Sequence, residues 1–192
     1  MKKIAIVYHS GYGHTKKQAE AVQAGVLDAD AQPELIAIDA DGNIAEQAWA
    51  ALQAADAVVF GTPTYMGGPS WQFKKFADAS SKPWFAQAWK DKIAAGFTNS
   101  ASINGDKAGT LNYLFTLAMQ HGMIWVGPGV LPSNTKAAQR NDANWLGFST
   151  GLMAQSPSDS SPEEGPLPGD LASARAFGER VARTAAAFKH IG

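Results

Sequence analysis

The residues best suited to chemistry stand near the start of the chain, in Ser10-Gly11-Tyr12-Gly13-His14-Thr15. Two glycines let the backbone approach a ligand closely, and the hydroxyls of Ser10 and Thr15 can add to the free N–H groups of a helix start. A turn of this kind wraps an anion, which makes it a candidate phosphate cradle. Two further stretches share its small, polar, glycine-containing character: Thr62-Pro63-Thr64-Tyr65-Met66-Gly67-Gly68 and Asn99-Ser100-Ala101-Ser102-Ile103-Asn104-Gly105. Among titratable groups near neutrality, His9, His14, His121 and His190 are the candidates for proton chemistry.

These stretches need elements to hold them. Ile4-Ala5-Ile6-Val7-Tyr8 is apolar without alternation, as in a strand covered on both faces. Ala19, Val22 and Val26 then recur at helical spacing to about Leu27. Leu35 to Ile38 reads as a second buried strand, Ile44 to Ala55 as a helix, Ala57 to Gly61 as a third strand, and the segment from Trp71 as a helix broken at Ser80-Ser81-Lys82-Pro83. Trp84 to Trp89 reads as an aromatic connector and Ile93 to Phe97 as a fourth strand. Leu111, Leu114, Phe115 and Ala118 mark another helix. Met123 to Gly127 is a fifth strand, which Gly147 to Met153 continues after an insertion. Ser156 to Gly169 reads as an exposed excursion rich in Ser, Pro and Glu, before a terminal helix carrying Leu171, Ala174, Phe177, Val181 and Phe188. Alternating strands and helices predict an α/β fold with a parallel sheet and right-handed crossovers. The expectation is one domain over residues 1–192, with all three polar stretches at the carboxyl edge of the sheet, where ligands of such folds bind.

Bulk composition removes several function classes. The 192 residues are 45% hydrophobic and 17% charged with a net charge of -1. That balance describes an ordinary globular chain, with no electrostatic case for nucleic acid or an anionic membrane. The absence of cysteine excludes disulfides, thiolate nucleophiles and Cys-ligated metals. No metal site is expected. Lys2-Lys3 is followed by too few apolar residues for a leader, and no run reaches membrane-spanning length, so the expectation is a cytoplasmic protein without an integral membrane segment.

Elimination narrows the ligand. A Walker loop requires Gly-Lys-Ser/Thr, whereas Gly13 is followed by His14-Thr15. The dinucleotide pattern fails because Lys16 stands where its third glycine belongs. A single monophosphate remains, which suits FMN, with one stretch on the phosphate and two bracketing a ring.

Ser10 to Thr15, Gly61-Thr62-Pro63-Thr64-Tyr65-Met66-Gly67 and His121-Gly122-Met123 together resemble the flavodoxin-like WrbA-type NAD(P)H:quinone oxidoreductases. The likeness runs in order from Lys3 to about Gly127. It implies a flavodoxin-like three-layer sandwich with a five-stranded parallel sheet in 2-1-3-4-5 order, non-covalent FMN, NAD(P)H as electron donor, a quinone as acceptor and a homo-oligomer, a tetramer or a dimer. By resemblance, Ser10, Gly11, Tyr12, Gly13, His14 and Thr15 would bind the phosphate and ribityl chain. Pro63, Thr64, Tyr65, Met66 and Gly67 would line the isoalloxazine, and Asn99, Ser100, Ala101, Ser102 and Asn104 its pyrimidine side. The third stretch is bulkier than the family's Thr/Gly-rich run, and Tyr65 replaces an arginine common in the second.

Flavin chemistry needs no protein nucleophile, so catalytic candidates are groups that tune or stack on the ring. His121 and Tyr65 are those candidates. His121 also reads as a histidine closing a helix, where the dipole favours a cation. His9 reads as a strand-end histidine, His190 as a solvated one, and Lys74-Lys75 as a solvated helix face. Trp49 and Trp125 are expected in the core. Trp71, Trp84, Trp89 and Trp145 fall beside loops, suited either to burial or to an interface, and the Trp84 segment would by resemblance close the pocket across a subunit boundary. The alternatives to a quinone oxidoreductase are a flavodoxin-like electron carrier and an FMN reductase.

Overall fold

The computed structural model describes residues 1–188, so His190 lies outside the described residues. Its centre is β1 (Lys3–His9), hydrogen-bonded in parallel to β2 (Gln32–Ile38) on one side and β3 (Ala57–Tyr65) on the other. Beyond β3 come β5 (Ile93–Ser100) and then β6 (Ile124–Trp125), giving the order β2-β1-β3-β5-β6. The two-residue β4 (Gly68–Pro69) is only a hairpin return against Thr64 and Tyr65. Without it, the parallel order is the expected 2-1-3-4-5.

Each strand's apolar run is explained by its two covered faces. Ile4, Ile6 and Tyr8 point to the side of α1 (His14–Asp28) and α6 (Pro168–Ala187), while Ala5 and Val7 point to α2 (Glu46–Ala54), α3 (Trp71–Ala79) and α5 (Lys107–Gln120). Successive strand residues face opposite ways, so a strand between two helical layers has no exposed face to make polar. Pro33 is tolerated because β2 is an edge strand. On the first layer α1 and α6 touch backbone to backbone: a Cβ on Gly25 would lie 1.7 Å from the Arg175 carbonyl oxygen, and one on Gly178 2.0 Å from that of Val22. On the second, buried Lys92 donates to the carbonyls of Gln53 and Ala55 at 2.5 and 2.7 Å, capping the end of α2 with a cation at the pole that favours one.

Several expectations shift. The second and third polar stretches begin as strand: β3 pairs with β5 as far as Pro63 and Asn99, and only then does the chain turn. Met66 and Gly67 both have positive φ, the mark of a mirror-image two-residue hairpin turn. The aromatic connector opens as a short helix, α4 (Ser81–Phe85), with Pro83 in its first turn where no N–H is needed. The fifth strand is split. β6 pairs with Ile93 and Ala94, and after the irregular insertion β7 (Leu152–Gln155) pairs with Phe97 to Ser100. Trp89 is core at 1% exposure, packed on Phe60 and His121, whereas Trp49 and Trp125 are only half-buried. Among the described residues no helix is long and apolar enough to cross a membrane, and no cluster of His, Asp and Glu could hold a metal ion.

Candidate cofactor site

At the carboxyl edge of the sheet the three stretches meet around a cavity of about 480 Å³. Tyr12, His14 and Thr15 reach it from the start of α1, Pro63, Thr64 and Tyr65 from the end of β3, and Asn99, Ser100 and Ala101 from the end of β5. The remaining expected residues shape these loops without lining the cavity. Ser10 is used as an acceptor: its Oγ takes the Lys16 N–H at 3.1 Å and caps α1. Gly13 precedes α1 with φ 89°, a left-handed conformation that suits glycine. Gly11 lies under Tyr65, whose hydroxyl would stand 2.6 Å from a Cβ there. Met66 and Gly67 form the hairpin turn, and the Met66 side chain is fully exposed. Ser102 and Asn104 lie further round the third loop and are exposed.

The N–H groups of Gly11 to Thr15 find no acceptor among the described residues, so five consecutive donors and the positive pole of α1 are available to an anion. Among the described residues no Lys, Arg, Asp or Glu lines the cavity. Its polarity comes from hydroxyls and amides. Thr64 Oγ1 is held at 2.8 Å from both Thr98 Oγ1 and Thr110 Oγ1, a buried chain that fixes the floor. Tyr12 and Tyr65 meet edge to face at 6.1 Å beside it. Burial, with Tyr12 close by, pushes the Tyr65 phenol pKa up, so this hydroxyl stays protonated at neutral pH.

A fourth wall comes from a segment that composition reads as an exposed excursion. Ser156, Pro157, Ser158 and Ser160 line the cavity. Ser156 Oγ lies 3.1 Å from Asn99 Oδ1, and His14 Nε2 lies 3.0 Å from the Ser160 carbonyl oxygen. A carbonyl only accepts, so His14 carries its proton on Nε2 in this bond. Pro162 packs where a Gly13 side chain would be, at 2.6 Å. Serines and prolines without hydrophobic periodicity carry no signal of such packing. A clue is that β7, the strand feeding the segment, ends at the same edge as the loops it covers.

His121 is not brought to this cavity. It caps the far end of α5, which starts at the third loop and runs 14 residues, about 21 Å, back to the opposite edge of the sheet. There its ring packs on Trp89 at 4.3 Å and its Nε2 lies 2.9 Å from Ser80 Oγ. Ser80 Oγ donates to the Ala77 carbonyl, so it accepts from His121 Nε2–H. Nδ1 is buried without a partner among the described residues, and burial lowers the pKa to about 4. A second proton would have no acceptor. Within the chain His121 therefore packs at the far edge of the sheet and does not line the cavity. His9 is likewise buried, its Nδ1 2.8 Å from Ser70 Oγ at the start of α3.

The family model for NADPH-dependent FMN reductase matches residues 12–138. A flavodoxin named FldP from Pseudomonas aeruginosa is 52% identical, over 95% of this chain and 96% of its own. An NAD(P)H dehydrogenase (quinone) from Paraburkholderia phymatum is 34% identical, over 97% and 98%. A solved structure of a flavodoxin, WrbA-like protein from Agrobacterium tumefaciens superposes with a TM-score of 0.79 at 52% identity, covering 98% of this chain and all of that one. The chain belongs to the flavodoxin-like WrbA-type family. Of the three stretches that carry the resemblance, Ser10–Thr15 and Gly61–Gly67 stand around the cavity, and Tyr65 in the second is positioned directly against Gly11 in the first.

Proposed function

We propose that this chain binds FMN in the carboxyl-edge cavity and passes two electrons from NAD(P)H to a quinone in two half-reactions at one site. The observation that carries the reading is the meeting of five unpaired N–H groups with a ring-sized, uncharged cavity. The volume lies within the range of about 300–1,000 Å³ usual for cofactor sites. FMN, when bound, supplies the redox chemistry itself. The chain's residues do the rest. Gly11 to Thr15 would hold the phosphate through neutral donors and the helix pole. Pro63, Thr64 and Tyr65 would face the ring from one side and Asn99, Ser100 and Ala101 from the other. Tyr12 and Tyr65 narrow the entrance so that donor and acceptor must take turns, and the Ser156–Ser160 wall excludes water.

The 52% identical relative named a flavodoxin favours a second reading, a carrier reduced by another protein. One measurement separates the two. The protein is loaded with FMN, mixed anaerobically with NADH or NADPH, and then given benzoquinone. Direct loss of the flavin's visible band, followed by its return with quinone, supports the oxidoreductase. No bleaching with either nucleotide refutes it and leaves the carrier. We further propose a homo-oligomer, on the exposure of Trp71, Trp84 and Phe85 (61%, 44% and 85%). A monomer in analytical ultracentrifugation would refute that part alone.

A further inference from the structure

Lys107 is placed where packing alone gives no reason for a lysine. Its side chain is completely buried, its pKa is pulled down to about 8 by that burial, and no carboxylate is among its hydrogen-bond partners. It is also the first residue of α5, the pole where the helix dipole opposes a cation. Lys92, the other buried lysine among the described residues, sits at the favourable pole.

What Lys107 holds is the third loop. Its Nζ donates to Ser100 Oγ, the Ser102 carbonyl and the Ile103 carbonyl at 2.8, 2.8 and 2.7 Å. The neighbouring carbonyls are also engaged within the chain. That of Ser100 accepts the Ser156 N–H at 3.1 Å, that of Ala101 the Gln155 side-chain amide at 2.9 Å, and that of Asn104 the Lys107 N–H at 3.2 Å. In a trans peptide the N–H opposes the preceding carbonyl. With five successive carbonyls engaged, the N–H groups of Ala101 to Gly105 point the other way from them, and none of these finds an acceptor among the described residues. Asp170 on α6 and Arg140 of the insertion face the lysine across the loop, but they are paired with each other at 2.7 Å.

We propose that Lys107 is a positioning residue for the cofactor's ring, holding the third loop with its N–H groups free to donate and one buried positive charge behind the electron-rich edge of the flavin. The proposal rests on FMN binding in the cavity. Its consequence is twofold: ring affinity depends on the ammonium's three hydrogen bonds, and the positive charge makes the bound ring easier to reduce.

The test uses the full chain with Lys107→Met, which keeps the bulk without donors, and Lys107→Gln, which keeps donors without charge. Fluorescence quenching gives the dissociation constants of FMN and of riboflavin, which lacks the phosphate and so reports the ring alone. Spectroelectrochemistry gives the midpoint potential of bound FMN. Lys107→Met is expected to bind both ligands about tenfold more weakly, the scale of one buried acceptor left unpaired, with a more negative potential. Lys107→Gln should recover affinity but not potential. In the unaltered protein, riboflavin affinity should fall between about pH 7 and 9 as the ammonium is lost, a measurement that stands if either variant fails to fold. Unchanged binding and potential in Lys107→Met, a loss confined to FMN, or a flat riboflavin profile would each overturn the role of Lys107 while leaving FMN binding intact. Failure of the unaltered protein to take up FMN would instead remove the functional reading on which the proposal stands.

Discussion

Gly11 and Tyr65 form a pair that neither explains alone. Gly11 has no need of glycine's backbone freedom, since its φ is not positive. What requires glycine is the Tyr65 hydroxyl, 2.6 Å from where a Cβ would be. Gly11→Ala should push the phenol out of the entrance and weaken FMN binding, and Tyr65→Phe added to it should restore most of the loss. A double-mutant cycle read by flavin fluorescence should give a coupling of about 0.5–3 kcal/mol, and additive effects would show that the two residues act separately. His121 makes a different prediction. Its pKa is about 4 in the fold and 6.5 when unfolded, so the unfolded state binds the extra proton between these values. Stability from the neutral ring is complete above pH 6.5 and falls as pH drops toward 4, by up to about 3 kcal/mol. Buried His9, also shifted down by burial, acts in the same direction. Melting temperatures of wild type and His121→Gln across that range should converge on acidification. Parallel curves would mean that the ring is protonated in the fold. The histidine was visible in the sequence, but its distance from the cavity was not. A helix-ending His-Gly pair looks the same at either edge of a sheet.

At the scale of elements, the strand starts and helix faces were readable because apolar runs and 3.6-residue spacing report burial directly. Strand ends were not. β3 and β5 extend through Thr62-Pro63-Thr64 and Thr98-Asn99-Ser100, residues whose composition says loop. They remain strands because each is paired by its neighbour, a term absent from local sequence. The 156–164 segment shows the same effect more strongly. Its packing over Gly13 and His14 depends on β7 joining β5 residues away in sequence. Replacing residues 157–164 by a short Gly/Ser linker should leave the melting transition cooperative and lower FMN affinity by about tenfold, on the scale of one lost buried partner. Isothermal titration would show this, and unaltered affinity would mean that the wall is dispensable.

For the molecule as a whole, the near-zero net charge and the two helical layers were available from composition and pattern, and so was the edge of the sheet at which the cavity opens. If FMN binds the folded state alone, it must also stabilise it. At a concentration about a hundredfold above its dissociation constant the gain is about 2.7 kcal/mol, which for a chain of this size raises the melting temperature by roughly 5–10 °C. Differential scanning calorimetry with and without FMN checks this, and an unchanged transition would count against a specific site. By itself the sequence determined the α/β class, the order of strands and helices, and three small, polar loops at one edge of the sheet, because hydrophobic periodicity and small-residue turns are local properties. Only the tertiary structure decided which of the loop residues reach the cavity, that the Ser/Pro segment closes it, that His121 stands at the far edge, and that Lys107 lies beneath the third loop. Each of those depends on what a side chain meets from a distant part of the chain, and such meetings leave no period or motif behind.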